Sequence, residues 1–146
     1  MDTFSKSKRS EIMSKISGRD TKPEILVRKY LFSEGFRYRK NVKRLPGKPD
    51  IVLPKYKTII FVHGCFWHGH KNCIASKLPE SNIEYWTNKI STNKKRDFKN
   101  KKLLKKLGWN IIIIWECELN IKKRNKRLNT LINQIYKSKS IQLLKS

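Results

Sequence analysis

The sequence predicts an α/β domain in which helices flank a mixed β-sheet. Two apolar runs carry this, Thr58-Ile59-Ile60-Phe61-Val62 and Trp109-Asn110-Ile111-Ile112-Ile113-Ile114-Trp115. Both are near-continuous, as expected of central strands buried on two faces. Segments of helical spacing precede, separate and follow them, so the elements read α-β-β-β-α-α-β-α. A chain of 146 residues fits one domain with one hydrophobic core. The expected organisation is a mobile basic arm over 1–20, a single domain over 21–138 and a basic tail over 139–146.

Residues 1–20 are polar apart from Ile12, Met13 and Ile16, which suggests a short helix on the arm. Asp20 or Thr21 can cap the first helix of the domain, Pro23 suits its first turn and Gly35 can end it. Glu24 falls in that first turn, where a carboxylate favours the helix dipole. Residues 36–42 alternate aromatic and basic, the pattern of a strand with one buried face. A turn at Pro46-Gly47 leads to a short apolar strand with Asp50 at its mouth, and the central run over 58–62 completes a meander. Ser81-Asn82-Ile83-Glu84 reads as a capping box opening a helix with Tyr85, Trp86 and Ile90. A second, basic helix over 93–107 has an apolar edge at Phe98, Leu103, Leu104 and Leu107, and Gly108 ends it. Leu128, Leu131, Ile132 and Ile135 mark a closing amphipathic helix.

With 35 Lys+Arg against 11 Asp+Glu, the formal charge is +24. A field of that sign and size suits a polyanionic partner. Some of the lysines accompany abundant Asn and Ile, as in the product of an AT-rich genome, and need not be contacts. No apolar stretch resembles a signal peptide or a membrane span, so a soluble intracellular protein is expected. Three cysteines in a reducing compartment point to metal ligation or free thiols over disulfides.

The chemistry concentrates in His63-Gly64-Cys65-Phe66-Trp67-His68-Gly69-His70-Lys71-Asn72-Cys73, which holds every histidine of the chain. Cys65, His70 and Cys73 have the spacing of a metal loop. Cys117 can join them if the 109–115 strand lies beside the 58–62 strand. Cys3His is a closed tetrahedral zinc set, which makes the expected role structural. Asp50, His63 and His68 remain. An Asp followed by a strand carrying an acid-x-Lys signature marks many metal-dependent nucleases, but here Phe61 and His63 occupy those two positions. Asp50 with a strand-end carbonyl, that of Val62, could hold Mg²⁺ against a phosphate. His63 and His68 could act as base, acid or phosphate contacts. Phe66, Trp67 and Trp86 are either core aromatics or a wedge that opens a base step.

Several segments together resemble the very short patch repair endonucleases. They are Leu45-Pro46-Gly47-Lys48-Pro49-Asp50, the stretch from Phe61 to His70, Trp86 with Lys89-Ile90, Asn93 with Arg96-Asp97, Gly108-Trp109, and Ile114-Trp115-Glu116-Cys117. The resemblance spans roughly residues 8–120. It implies a restriction-endonuclease-like fold and a Mg²⁺-dependent nick in duplex DNA, 5′ to the T of a T·G mismatch left by 5-methylcytosine deamination. It implies Asp50 and the Val62 carbonyl as Mg²⁺ ligands, and His63 and His68 as catalytic imidazoles with His68 the candidate base. Glu24 and Asp97 match acids that order the site, Asp97 by orienting a histidine. Cys65, His70, Cys73 and Cys117 match a structural Zn²⁺ set, and Phe66, Trp67 and Trp86 an intercalating wedge. A monomer in a bacterial cytoplasm, associated with the nucleoid and followed by other repair proteins, is implied as well. One departure stands out: two residues, Lys71-Asn72, separate His70 from Cys73 where one is expected. Two other readings compete with the nick, a non-catalytic zinc-stabilised DNA-binding module and a restriction-type nuclease of the same fold.

Overall fold

The computed structural model describes residues 20–145. Apart from Asp20, the expected N-terminal arm lies outside them. Helix α1 (Lys22–Ser33) leads into strands β1 (Arg39–Lys40), β2 (Ile51–Leu53) and β3 (Thr58–His63). Helix α2 (Ile83–Lys106) then crosses to strand β4 (Asn110–Trp115), and helix α3 (Arg124–Lys145) closes the chain. The sheet order is β1-β2-β3-β4. The first three strands are antiparallel, whereas β4 runs parallel to β3 with Val62 opposite Ile114 and His63 opposite Trp115. The expected mixed α/β sheet is therefore present. Among the described residues no helix is long and apolar enough to cross a membrane.

Period-two alternation divides the core. Ile51, Leu53, Ile60, Val62, Ile112 and Ile114 face α1 and α3, where Val27, Leu31, Leu128, Leu131 and Ile135 meet them. Val52, Ile59 and Phe61 face the other way and pack with Leu104 of α2. Every residue of β3 is buried, as a strand covered on both faces requires. The near-continuous apolar runs of β3 and β4 follow directly from this double burial.

Five expectations change. The strand expected over 36–42 shrinks to Arg39–Lys40, both exposed at the sheet edge. Phe36 instead follows Gly35 (φ 87°) out of α1 and is buried, and Asn41 at φ 50° breaks the extended path. The two helices expected between 83 and 107 are one, since no Gly or Pro interrupts them. Its capping box does not form: Asn82 is the N-cap, in the left-handed region, with no side-chain cap bond. Of the apolar edge only Leu104 is buried, while Phe98, Leu103 and Leu107 are exposed. The segment set aside as a tail from residue 139 continues α3 to Lys145.

Candidate functional site

The parallel register delivers the ends of β3 and β4 to the same edge of the sheet, and antiparallel β2 begins there. A cleft of about 1190 Å³ opens at this edge. It is lined by Glu24, Asp50, Val62, His63, His68 and Asp97, with Phe66 and Trp67 on its wall. Lys43, Lys48, Lys89, Arg96 and Lys101 line it too and give it a cationic rim.

Asp50 sits just before β2, where its Oδ2 accepts the Val62 N–H at 2.8 Å. Continuing the β2–β3 register sets Val62 across from Pro49. An extended residue points its N–H and C=O to the same side. The Val62 carbonyl therefore faces the Asp50 edge as well, where Pro49 has no N–H to pair with it. Burial, then the negative charge of Glu24, pushes the Asp50 carboxyl up to about 8, against the Val62 N–H bond. A cation here would favour the ionised carboxylates. Glu24 is held by the start of α1. Thr21 caps the helix, and Glu24 Oε2 accepts the N–H groups of Asp20 at 2.6 Å and Thr21 at 3.2 Å. The sequence suggested a dipole effect for Glu24. Its carboxylate does lie in the first turn of α1, and it also closes a reciprocal capping box beside Asp50.

His63 ends β3 and is 5 % exposed. Its ring stacks on His68 with centroids 3.8 Å apart and planes within 5°. Burial, followed by the neighbouring His68, pulls the His63 imidazole down to about 3, so it is neutral at physiological pH. Its Nδ1 is buried without a hydrogen-bond partner among the described residues. His68 Nδ1 lies 2.6 Å from Asp97 Oδ2 on α2. With a carboxylate there, Nδ1 carries a proton and Nε2 is left to accept one. His63, His68 and Asp97 bring their ligand atoms within 4.8 Å of one another. Parallel stacked rings cannot both aim an in-plane lone pair at one ion, so this trio suits proton transfer better than metal binding.

Behind the cleft, Cys65, His70, Cys73 and Cys117 place one ligand atom each within 4.8 Å of the others. Cys117 Sγ is 3.5 Å from His70 Nδ1. The four form a Cys/His group able to hold a metal ion. In tetrahedral zinc, sulfurs at ~2.3 Å from the metal lie roughly 3.8 Å apart, so a small contraction suffices. Burial pushes the Cys65 thiol up to about 12 and raises Cys117. At Cys73 burial also acts upward, but the Ala75 N–H and the other two thiols outweigh it and the net shift is down. A metal cation would ionise all three. Asn72 absorbs the extra residue of the His70–Cys73 spacer by turning at φ 58°. Gly69 (φ 58°) lets the loop lie on α2, for an added Cβ would come 2.8 Å from Ile90.

Phe66, Trp67 and Trp86 form one cluster with centroids 5.2 to 5.9 Å apart. Asn93 fastens it from α2 through a 3.0 Å bond to the Trp67 carbonyl. Two neighbours escaped the reading of the residues. Tyr85, 59 % exposed, packs edge-on to Trp86, and its adjacency in sequence was the available signal. Trp115 stacks on His70 at 4.0 Å and meets His63 in a T-shaped contact at 5.2 Å. Its signal was the position ending β4, opposite His63.

Residues 1–74 match the family model described as DNA mismatch endonuclease Vsr. The type II nicking enzyme V.NmeAIP of Neisseria meningitidis serogroup A is 55% identical over 135 residues, 92% of this chain and 96% of that one. V.XorIIP of Xanthomonas oryzae, also named a type II nicking enzyme, is 43% identical over 82% of this chain and 87% of its own. The DNA mismatch endonuclease Vsr of Escherichia coli K12 is 41% identical over 81% of this chain and 75% of its own. By family model and by relatives matched over most of their length, this chain belongs to the Vsr family of DNA mismatch endonucleases.

Proposed function

We propose that the protein nicks one strand of duplex DNA 5′ to the T of a T·G mismatch, using Mg²⁺ in the cleft and Zn²⁺ as a structural ion. One observation carries the reading. Asp50, the Val62 backbone and the stacked His63–His68 pair backed by Asp97 meet in a single cationic cleft. The sheet and its three helices fit a restriction-endonuclease-like fold. The relatives named nicking enzymes support cleavage of one strand.

Asp50 and the Val62 carbonyl would hold Mg²⁺, with Glu24 ordering Asp50. Bound there, the ion supplies positive charge to the phosphate and the leaving oxygen. Asp97 keeps the His68 tautomer whose Nε2 takes the proton of the attacking water. His63, kept neutral by burial, supports the His68 ring and contacts the phosphate. Cys65, His70, Cys73 and Cys117 leave a zinc ion no open position, so that ion pins the loop to the sheet. Phe66, Trp67 and Trp86 enter the base stack, where a weakly paired step costs less to open.

The test compares strand-specific nicking of T·G and fully paired duplexes in several sequence contexts. The expected result is a nick confined to the T strand of the mismatch, lost in Asp50→Ala. Cleavage of both strands of paired DNA would favour a restriction-type nuclease. Binding without any nick in Mg²⁺ or Mn²⁺ would leave only a DNA-binding module.

A further inference from the structure

Asp20 and Asn41, which line the cleft, and Arg28 have no part in the chemistry above, yet they join its two acidic positions. Asp20 Oδ1 accepts Arg28 Nη2 at 2.9 Å and Asn41 Nδ2 at 3.0 Å. The backbones of the two partners then reach further. The Asp20 N–H donates to Glu24 Oε2 at 2.6 Å, and the Asn41 N–H donates to the Asp50 carbonyl at 3.1 Å. A single side-chain contact, Asp20 to Asn41, thus connects the residue holding Glu24 to the residue holding Asp50.

Both ends of that contact adopt left-handed backbone. Asp20 has φ 62° and Asn41 φ 50°, in the left-handed region that L-residues enter at a cost. Arg28 is 5 % exposed, and its Nη1 is buried with no hydrogen-bond partner among the described residues. A surface ion pair needs no such burial. Four residues after Glu24 on α1, Arg28 lies on the same helix face as that carboxylate.

We propose that Asp20, Asn41 and Arg28 are positioning residues, a brace that sets the Glu24 and Asp50 carboxylates at a fixed separation before a divalent cation arrives. The inference rests on the reading of Asp50 as the ligand of the catalytic ion. The Asp20 carboxylate is taken up by Arg28 and Asn41, so the brace acts on ion affinity and leaves the chemical step alone.

Asn41→Gly is the cleanest probe. Glycine accepts the positive φ and keeps the N–H to Asp50, so only the side-chain amide is lost. Asp20→Ala removes that contact from the other side together with the bond to Arg28, whereas Asp20→Asn keeps an acceptor oxygen and serves as the conservative rescue. The readout is Mn²⁺ binding to DNA-free protein by calorimetry, alongside the Mg²⁺ dependence of nicking. Asn41→Gly and Asp20→Ala should each weaken Mn²⁺ binding about tenfold, at the low end of what loss of a residue supporting a metal ligand costs. Nicking at saturating Mg²⁺ should stay within about threefold of wild type, since affinity alone changes. The double variant Asp20→Ala/Asn41→Gly should bind no more weakly than Asp20→Ala alone, because Asp20→Ala already removes the contact that Asn41→Gly removes. Asp20→Asn should bind as wild type. Unchanged Mn²⁺ affinity in Asn41→Gly, or equal loss in Asp20→Asn and Asp20→Ala, would overturn the brace. The Asp50→Ala control separates the two claims: if it binds Mn²⁺ as wild type does, the Asp50 reading itself fails.

Discussion

The loop after β3 serves two regions that share residues in sequence and nothing in chemistry. Cys65, His70 and Cys73 turn inward and meet Cys117 in a closed Cys/His group. His63 and His68, from the same eleven residues, face a wide cleft beside Asp50. Trp115 stands between them, stacked on His70 and in a T-shaped contact with His63. The inner group offers soft ligands and no open position, which suits an ion that holds structure. The outer one offers oxygens and imidazole nitrogens around open space, which suits an ion that exchanges and a substrate that enters. Burial acts in both, with different results: it keeps the Cys65 thiol protonated without a cation, and it keeps His63 neutral. Proximity in sequence is thus a poor guide to shared function, and side-chain direction at the strand end decides it.

The most severe way to break the contrast is to remove one inner ligand. Cys117→Ala should lose its metal and unfold at a temperature lower by roughly 10 °C or more, the scale of losing a structural metal site in a chain of this size. Circular-dichroism melting with metal analysis reads it. An unchanged melting temperature with full metal content would show that Cys117 is no ligand. On the outer side, Asp97→Asn should lower kcat by about 100-fold or more while DNA affinity holds, the usual size of a general-base effect. A change confined to affinity would place Asp97 in DNA binding instead.

A subtler difference appears with pH. The folded Asp50 carboxyl is raised from 3.8 to about 8. Its protonated form therefore contributes stability that is full below about pH 4 and lost as pH rises through about 8. Asp50→Asn escapes that loss. Without divalent ions it should melt above wild type near pH 8, by roughly 2–4 °C for each kcal/mol relieved, and equally with it near pH 3.8, the ordinary carboxyl value. The same variant should not nick DNA. Equal melting at both pH values would remove the carboxylate repulsion from the account.

Much of this was legible in the residues. The runs that became β3 and β4 announced themselves because strands buried on both faces need apolar residues throughout. The Cys/His spacing was equally plain, and the extra residue before Cys73 is accommodated by Asn72 at positive φ. The segment 36–42 misled because its aromatics look strand-like, yet Phe36 is buried against α1 and α3 as the chain leaves a helix. The break expected inside α2 had no physical cause behind it, and helix formation continues unless something stops it. The exposed Phe98 and Leu107 show the limit of apolar spacing: it marks a face without saying that anything covers it. Asp97, Trp115 and the Asp20–Asn41 contact lie far from their partners in sequence. Periodicity is blind to such pairs, and only the register of β3 with β4 and the path of α2 bring them together.

The division of the loop into a holding site and a working site is tested most directly by mild chelation. Dialysis against EDTA should leave about one zinc per chain, as a closed four-ligand site retains its ion, while nicking of a T·G duplex disappears. Adding Mg²⁺ alone should restore it. Zinc lost in step with activity, and activity recovered only by Zn²⁺, would contradict the account.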